Sequence, residues 1–303
     1  MEGDMEGDME SNGKNNIGRR KVLVIGKSGF IGSSLAQWLG EEGYEVFLVS
    51  GRREEWKSFD MAGIDTVVYT AGLAHTKEKK GSEELFLKAN VWQAVESAKK
   101  AKLSGVPQYI YISSMNVYGS AGKRIGADTP VKPDSLYGRS KRQGEQRILE
   151  LESEQLAVAV IRPPVVSGAG CKGSIRLLAK ASKYIPFFPD YPNQRSMIDI
   201  INLCSFISCL IDSNARGIYH PQNKEYISTY QLLSLMAHSR GRTIRPVSFL
   251  NPLIAWMIPR VKLLRKIFGD DCYDRAMSEY NNCSYWIRGY RESIHDMVSN
   301  VRE

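Results

Sequence analysis

One glycine-rich turn constrains the fold of this chain more than any other feature. The stretch "KVLVIGKSGFIGSSL" joins an apolar, β-branched run to a helical pattern, with Gly26, Gly29 and Gly32 at the junction. Gly26 allows a tight turn, Gly29 allows close approach of the backbone to a ligand, and Gly32 allows the helix to pack on the strand. Because the free N–H groups of a first helical turn attract anions, we expect a pyrophosphate to bind here.

Apolar runs alternate with longer helical patterns through the first half of the chain. Strands are predicted at residues 21–26, 45–49, 65–72, 108–114 and 156–163, and helices at 29–43, 82–102 and 135–154. Alternation of this kind is typical of an α/β fold, with a doubly wound parallel sheet and helices on both faces.

The pattern changes after Pro163, where Gly and Pro become frequent and helices dominate. Helices are predicted at residues 174–184, 202–213, 229–239 and 252–268. We therefore expect a disordered tail at residues 1–18, a nucleotide-binding domain at 19–164 and a smaller, mainly helical substrate lobe at 165–303. A segment or two of this C-terminal lobe is expected to return to the sheet.

The charge of the chain indicates which partners suit it. Its 303 residues carry a net charge of +8, which favours nucleotides, phosphorylated sugars, nucleic acid or an anionic membrane over cationic ligands. The acidic start "MEGDMEGDME" does not resemble a signal peptide, and a cytoplasmic location is expected. The stretch at residues 250–268 is interpreted as an amphipathic segment that either packs on its own domain or touches a membrane or partner.

The cysteines and histidines indicate neither a disulfide framework nor a metal site. Five cysteines and four histidines are scattered along the chain, with no CxxC motif and no Cys/His cluster. An odd number of cysteines without such spacing favours a reducing compartment and unpaired thiols. No metal is therefore expected.

The stretch "LYGRSK" carries the strongest signal for catalysis. Tyr137 and Lys141 are four residues apart at a helix start, so both side chains project from one face. A phenol has a pKa near ~10, and a neighbouring ammonium favours its ionised form near neutrality. Upstream, "YISSMNVYG" ends a strand with Ser113 and Ser114, and a hydroxyl there can hydrogen-bond a substrate oxygen beside the tyrosine.

Together these motifs resemble the extended short-chain dehydrogenase/reductase family, in its NAD-dependent epimerase/dehydratase branch acting on nucleotide sugars. The resemblance rests on "GKSGFIG", "KANVWQ", "YISSMNVYG", "YGRSK" and "IRPPVVSGAG", and it covers about residues 21–240. It implies a Rossmann fold, a nicotinamide cofactor, a homodimer, and Ser114, Tyr137 and Lys141 as the catalytic residues, with Ser113 as the alternate serine.

The same resemblance implies which residues contact the cofactor. They are Gly26, Ser28, Gly29, Phe30, Ile31, Gly32, Ser50, Arg52, Arg53, Ala71, Gly72, Asn90, Ser113, Tyr137, Lys141 and Pro164.

For the substrate, the resemblance implies contacts with the sugar and with a nucleoside diphosphate, in particular uridine diphosphate. Arg195 in "NQRSMIDI" matches an arginine that meets the diphosphate, and the fork of a guanidinium suits two phosphate oxygens. Lys172 and Arg291 are further candidates for the nucleotide, and Ser114 and Asn116 for the sugar.

Three reactions share this arrangement of motifs. A 4,6-dehydratase needs an Asp-Glu pair beside the catalytic serine, but Met115 and Asn116 stand there, and neither carries protons usefully. A 4-keto reductase and a 4-epimerase stay open, because both use Ser114, Tyr137 and Lys141. A member that binds NADP without catalysis is a lower alternative, which the intact catalytic residues disfavour. Nucleic-acid binding is disfavoured as well, because no basic patch interleaved with aromatics appears outside residues 250–268.

The end of the second strand favours the reductase. An acidic residue there would bind the ribose 2′-hydroxyl of NAD, whereas "VSGRREEW" offers Ser50, Arg52 and Arg53. Glu54 and Glu55 are judged too far along the loop to replace the acid. These residues thus favour an NADPH-dependent reductase, and the resemblance implies a UDP-4-keto-6-deoxy-N-acetylhexosamine as its substrate, for surface glycan synthesis. The alternative that the resemblance implies is an NAD-dependent UDP-GlcNAc/UDP-GalNAc 4-epimerase.

Overall fold

The first strand, β1 (Lys21–Ile25), shows how the residue pattern produces the sheet. In β1, Val22 and Val24 pack on one face of the sheet while Leu23 and Ile25 pack on the other, as the two-residue period of a strand requires. In this computed structural model, residues 19–74, 81–119, 123–171, 173–280 and 283–299 are described. The tail predicted at residues 1–18 lies outside them, as does Lys172.

The strands follow the predicted order and add several short ones. They are β1 (Lys21–Ile25), β2 (Glu45–Val49), β3 (Thr66–Tyr69), β4 (Gln108–Ile112), β5 (Lys123–Ile125), β6 (Ala157–Ile161), β7 (Val165–Ser167), β8 (Phe187–Phe188), β9 (Met197–Asp199), β10 (Gly217–Tyr219), β11 (Arg245–Pro246) and β12 (Asp271–Tyr273).

The helices are shorter than the sequence pattern predicts. They are α1 (Phe30–Glu41), α2 (Glu83–Leu87), α3 (Gln93–Leu103), α4 (Leu136–Leu149), α5 (Ser174–Ala181), α6 (Ile200–Asp212), α7 (Thr229–His238), α8 (Asn251–Met257), α9 (Lys262–Phe268) and α10 (Tyr290–Ser299).

Within the described residues, six of these strands form one parallel sheet in the order β10-β6-β4-β3-β1-β2. The helices α1 and α6 cover one face, where Leu35 and Leu39 meet Leu203 and Phe206. On the opposite face, α3 and α4 pack around Tyr109 and other buried side chains of the sheet. The predicted doubly wound, Rossmann-like α/β fold is confirmed.

The C-terminal lobe does return to the sheet. β10 pairs with β6, and α6 packs against α1, so the residues after 165 complete the first domain as well as forming the second lobe. The division at residue 164 therefore describes the order of the motifs better than it describes two separate cores. The lobe's own core contains Met197, Leu232 and Ile294, between α5, α7 and α10.

The long helix predicted from Ser82 is interrupted by a π-helical turn at Lys88–Trp92. Such turns widen the helix and are frequent at functional sites. The predicted helix at residues 252–268 is likewise two helices, because α8 ends at Met257, Pro259 has no backbone N–H to continue the helix, and Val261 is extended before α9 begins. Among the described residues, no helix combines the length and apolar character needed to cross a bilayer.

The expectation of unpaired cysteines was wrong for one pair. Cys209 on α6 and Cys283 form a disulfide, with their Cα atoms 5.8 Å apart and a sequence separation of 74. The pairing is produced by tertiary packing, because Phe206 on α6 and Tyr280 beside Cys283 have ring centroids 5.0 Å apart. No local spacing motif predicts a contact between segments so distant in sequence.

Candidate active site

The glycine-rich turn lies where the strand order of the sheet reverses. β2 and β3 lie on opposite sides of β1, and ligands of open α/β sheets bind at the carboxyl ends of such strands. A Cβ on Gly26 would collide with Thr70 Oγ1, and a Cβ on Gly32 would lie 2.6 Å from the same oxygen. Gly29 has extended backbone before α1 begins. The turn and the N–H groups of α1 therefore fit the pyrophosphate of a dinucleotide.

The predicted catalytic hydroxyls meet at the end of β4. Ser114 follows that strand, and its side chain hydrogen-bonds Tyr137 near the start of α4. Ser114 Oγ also accepts a hydrogen bond from Asn116 N at 3.2 Å. Ser135 caps α4 by accepting a hydrogen bond from Gly138 N at 3.0 Å, which fixes where the helix begins. Both hydroxyls can thus contact the same substrate oxygen.

Lys141 lies one helical turn beyond Tyr137 and is buried. Its Nζ donates a hydrogen bond to Ile112 O at 2.8 Å and lies 4.7 Å from the centroid of the Tyr111 ring. Burial lowers the pKa of Lys141 to about 7, against an opposing effect of the Glu145 carboxylate. Burial also raises the pKa of Tyr137, partly offset by its hydrogen bond with Ser114. The phenol is therefore neutral until further positive charge is brought beside it.

Asn90 holds the backbone opposite these catalytic groups. Its Oδ1 accepts a hydrogen bond from Leu73 N at 2.9 Å, and its Nδ2 donates to Ser140 Oγ at 2.9 Å. A Cβ on Gly72 would lie 2.8 Å from Asn90 Oδ1 and 3.1 Å from Lys141 Nζ. Gly72 therefore lies beside both the lysine and Asn90, which belongs to the π-helical turn. The cofactor contacts implied for Ala71 and Gly72 stay predictions.

A buried ion pair between Glu145 and Arg162 was not predicted from the sequence. Glu145 is fully buried and accepts hydrogen bonds from Arg162 Nε at 2.9 Å and from Arg162 Nη2 at 2.8 Å. Ser113 Oγ donates to Glu145 Oε1 at 2.5 Å, so Ser113 directs its hydroxyl away from the pocket that Ser114 faces. The available signal was spacing, because Glu145 follows Lys141 by four residues on one helix face.

The network continues from this pair into the C-terminal lobe. Arg162 Nη1 donates to Tyr118 Oη at 2.8 Å, and Tyr118 Oη is 2.9 Å from His220 Nε2. Burial, together with the nearby Arg162, lowers the pKa of His220 to about 4. Tyr273 Oη donates to Arg162 O at 2.8 Å. Hydrogen bonds thus join the floor of the active site to β12 and to the segment after β10.

The sequence profile of the NAD dependent epimerase/dehydratase family matches residues 22–220, which is well over half of the chain. This chain belongs to that family. The family assignment confirms the predicted nicotinamide-dependent enzyme, and it covers the glycine turn, the catalytic residues and the buried pair.

Two curated relatives of the chain are 4-epimerases. The chain is 27% identical over 287 residues to a UDP-glucose 4-epimerase of Vibrio cholerae, covering 84% of this chain and 85% of that enzyme. It is 26% identical over 253 residues to an N-acetyl-alpha-D-glucosaminyl-diphospho-ditrans,octacis-undecaprenol 4-epimerase of Escherichia coli O157:H7, covering 77% and 76%. The UDP-glucuronic acid 4-epimerase of Bacillus cereus, solved with NAD, shares the fold with a TM-score of 0.72 at 16% identity, covering 92% and 98%.

The turn after β2 is arranged differently from the sequence-based prediction. Ser50 is buried, and its hydroxyl accepts a hydrogen bond from Arg53 N at 3.2 Å. The side chains of Arg52 and Arg53 are exposed. Glu55, which was judged too far along the loop to replace the acid, has its carboxylate at the end of the strand. The backbone turns back at Glu54, which has φ of 54°, and Glu55 Oε2 accepts a hydrogen bond from Ser50 N at 2.7 Å.

Glu54 itself faces another element. Its carboxylate accepts a hydrogen bond from Gln93 at 2.7 Å and pairs with Lys57 at 2.7 Å. Hydrogen bonds with Lys57 and Gln93, together with the charges of Lys57 and Lys88, lower the pKa of Glu54. The turn after β2 therefore carries one carboxylate at the strand end, one engaged with α3, and two exposed guanidinium groups.

The predicted substrate residues lie in three separate parts of the structure. Arg195 lies in the C-terminal lobe, where its Nε donates to Thr229 Oγ1 at 3.1 Å and its Nη2 to the carbonyls of Lys266 and Ile267. Asn116 is exposed beside Ser114. Arg291 is exposed on α10, in a groove between α7 and α10. The described contacts do not join Arg291 to Arg195.

Three of the other predicted cofactor residues belong to the glycine turn and the start of α1, and the fourth follows β6. Phe30 and Ile31 begin α1 and are half-buried, Ser28 is exposed in the turn, and Pro164 is buried after β6. The Phe30 ring also packs in the core of the C-terminal lobe. Phe30 therefore links the cofactor turn to the lobe that is expected to hold the substrate.

Proposed function

We propose that the chain is a 4-epimerase of a hexose or N-acetylhexosamine carried on uridine diphosphate. Chemistry at C4 is supported by the hydrogen bond between Ser114 and Tyr137 and by the position of Lys141 beside Gly72. The observation that carries the choice of an epimerase is the carboxylate of Glu55 at the end of β2. The 4-epimerase names of the relatives from Vibrio cholerae and Escherichia coli support the same reaction. Both relatives act on a sugar joined through a diphosphate, which agrees with the role predicted for Arg195.

The residues suit acid–base chemistry at a sugar hydroxyl. Tyr137 acts as the base that takes the proton of the C4 hydroxyl, and as the acid that returns it. Ser114 hydrogen-bonds the same oxygen and orients it toward the phenol. Lys141 stabilises the phenolate through its charge. A bound nicotinamide supplies the acceptor and donor of the C4 hydride, and Gly26, Ser28, Gly29, Gly72 and Asn90 would hold that cofactor.

Glu55 favours the epimerase over the reductase. A carboxylate at the end of the second strand suits the ribose hydroxyls of NAD and repels the 2′-phosphate of NADP. In the structure Glu55 Oε2 is 2.7 Å from Ser50 N at that strand end. An NAD that stays bound through many turnovers is what an epimerase uses.

The exposed Arg52 and Arg53 favour the second candidate, an NADPH-dependent reductase of a UDP-4-keto-6-deoxy-N-acetylhexosamine. Guanidinium groups at this turn suit a 2′-phosphate. In that reaction Tyr137 gives a proton to the new C4 alkoxide once, and the cofactor exchanges at every cycle.

The reaction is tested with the purified protein and two sets of substrates. An epimerase interconverts UDP-GlcNAc with UDP-GalNAc, or UDP-glucose with UDP-galactose, without net consumption of cofactor, and chromatography of the sugar nucleotides measures this. Oxidation of NADPH by a UDP-4-keto-6-deoxy-N-acetylhexosamine, without interconversion of the first set, would establish the reductase instead.

The cofactor is tested separately by titration with NAD and NADP. We expect NAD to bind more tightly, and Glu55→Gln to reduce that preference while Arg52→Ala with Arg53→Ala leaves it nearly unchanged. A preference for NADP that the double arginine variant removes would support the reductase.

A further inference from the structure

Two segments of the C-terminal lobe concentrate positive charge. Residues 173–188 and 242–269 contain nine of the chain's 41 Lys and Arg residues and none of its 33 Asp and Glu residues. Because the net charge is +8, the rest of the chain is close to neutral. The basic character of this protein therefore belongs to one part of the lobe.

These two segments are adjacent in the fold, and we call them the basic apolar surface. β8 pairs with β11 in parallel, and Val247 N donates to Phe188 O at 3.1 Å. The rings of Phe188 and Phe268 stack with their centroids 5.5 Å apart. Ile244 is buried and packs in the same small cluster as Phe188. The neighbouring carboxylate of Asp190 accepts hydrogen bonds from Ser248 and Asn251.

The same surface carries large apolar side chains that the fold leaves exposed. Half of the exposed large apolar residues of the described chain belong to it, namely Leu177, Tyr184, Phe187, Phe249, Leu253, Trp256 and Leu263. Phe249 is 82% exposed and Trp256 is 59% exposed. Leu253 and Trp256 are three residues apart on α8 and so share a face. Exposed apolar clusters of this kind mark interaction sites.

Basic and apolar groups are interleaved within the surface. The Arg260 guanidinium lies 4.4 Å from the centroid of the Trp256 ring. On α9, Lys262 and Lys266 are exposed on either side of the exposed Leu263. Aromatic and leucine side chains among Lys and Arg are the composition of segments that lie in the interface of an anionic membrane.

We propose that the basic apolar surface binds the anionic face of a lipid bilayer. The Leu253, Trp256 and Leu263 side chains enter the headgroup region, and the surrounding Lys and Arg residues pair with lipid phosphates. A symmetric contact with a second copy would bring two positively charged surfaces together, which is unfavourable. Binding of a nucleic acid would leave the aliphatic side chains without a role.

The membrane contact has a consequence for catalysis that rests on the proposed function. Arg195, the predicted contact of the substrate diphosphate, donates a hydrogen bond to Ile267 O at 3.3 Å, in the last turn of α9. The docked surface therefore adjoins the diphosphate site. Membrane binding would then hold the site proposed for the UDP-sugar, with Ser114 and Tyr137, next to the bilayer surface.

The test is co-sedimentation of the purified protein with lipid vesicles and no substrate. Vesicles rich in phosphatidylglycerol are expected to bind the protein at least about tenfold more tightly than vesicles of phosphatidylcholine alone, and salt should weaken binding. Equal binding to both vesicles, or none to either, would overturn the proposal.

Variants distinguish the membrane from other occupants. Leu253→Ser with Trp256→Ser, and separately Lys262→Gln with Lys266→Gln, should each weaken binding to phosphatidylglycerol vesicles about tenfold or more. The matched control is Leu103→Ser with Lys99→Gln, on the exposed side of α3, which should bind like the wild type. All these variants should keep their activity on a water-soluble sugar nucleotide, so failure of the proposed function is seen independently.

Two results would assign the surface elsewhere. Self-association in sedimentation equilibrium that Leu253→Ser with Trp256→Ser abolishes would identify a second copy as the occupant. Binding to a single-stranded oligonucleotide that depends on Lys262 and Lys266 but not on Trp256, without vesicle binding, would identify a nucleic acid. Either result contradicts the membrane proposal.

Discussion

The active-site pocket and the basic apolar surface present their charged groups in opposite ways. In the pocket, Lys141 and Glu145 are buried, and each has hydrogen-bond partners or ion-pair partners at defined distances. On the surface, Lys262 and Lys266 are exposed among apolar side chains. Buried charges need fixed partners, whereas exposed charges contribute little to folding and are available to a ligand. The charged groups of the candidate active site are therefore held in fixed positions, whereas the exposed charges of the C-terminal lobe are available to bind a partner.

The largest effect is expected in the pocket from Tyr137→Phe. Loss of the acid–base hydroxyl should lower kcat/KM about 10²- to 10⁴-fold, because proton transfer at C4 loses its catalyst. Chromatography of the sugar nucleotides measures the rate, and a thermal shift with the cofactor checks that the cofactor still binds. Tyr184→Phe, in the exposed part of the lobe, is the control and should keep its activity. A rate near that of wild type for Tyr137→Phe would remove the role given to the phenol.

A large effect on stability is expected from Glu145→Gln. Removing one partner of a buried ion pair leaves Arg162 uncompensated and should cost about 3–5 kcal/mol in the free energy of unfolding. Urea denaturation measures the change. Glu152→Gln is the matched control, because its contact with Arg216 is 3.9 Å long and exposed, and it should cost at most about 1 kcal/mol.

A companion variant keeps this prediction informative if Glu145→Gln does not fold. Combining it with Arg162→Met removes both charges and should recover part of the lost stability. If the double variant is less stable than Glu145→Gln alone, the arginine is needed for reasons other than its pairing with the carboxylate.

A smaller effect separates two glycines of one helix. Gly32→Ala should destabilise the protein by about 1–3 kcal/mol, because its Cβ would press against Thr70 and the backbone of Gly26. Gly40→Ala meets no atom within 4 Å and should stabilise the helix by about 0.5–1 kcal/mol. Urea denaturation again measures both changes. Equal effects at the two sites would show that the glycine turn is less tightly packed than the structure indicates.

His220 should make the stability depend on pH. Its pKa is about 4 in the folded protein against 6.5 for the unfolded chain, so the unfolded state binds the proton first as pH falls. The free energy of unfolding is therefore not reduced by this group above pH 6.5, and it falls progressively as the pH drops from 6.5 toward 4. Urea denaturation across this range should show a shallower pH dependence for His220→Gln. An unchanged slope would mean that His220 is not held neutral by its surroundings.

The smallest effect is expected on the basic apolar surface. Trp256→Ser should change the free energy of unfolding by less than about 0.5 kcal/mol, because the ring is largely exposed and its removal opens no cavity. Thermal denaturation measures this change. A loss of several kcal/mol would place Trp256 in a core and weaken the contrast between the two regions.

Much of the fold could be predicted from local pattern. The order of β1, α1, β2, β3 and β4 follows from hydrophobic periodicity, which depends on residues close together in the chain. Breaks in the helices were harder. Pro259 announces the end of α8 in sequence, but the π-helical turn around Asn90 depends on packing against α4, which no local pattern describes.

The candidate site divides in the same way. Tyr137 and Lys141 were predicted because their spacing is local, and Ser114 because it ends a strand. The contact of Glu55 with Ser50 was not predicted, since it depends on the left-handed backbone of Glu54. The choice between NAD and NADPH and the homodimer are untested by the described contacts, and they stay predictions.

By itself, the sequence determined the Rossmann-like sheet, the glycine turn and the spacing of the predicted catalytic groups, because strand and helix periodicity and turn chemistry act over a few residues. Only the tertiary structure decided the pairing of Glu145 with Arg162, the disulfide between Cys209 and Cys283, and the union of two basic segments into one surface. Those contacts join residues far apart in the chain, and their partners are selected by the packing of whole elements.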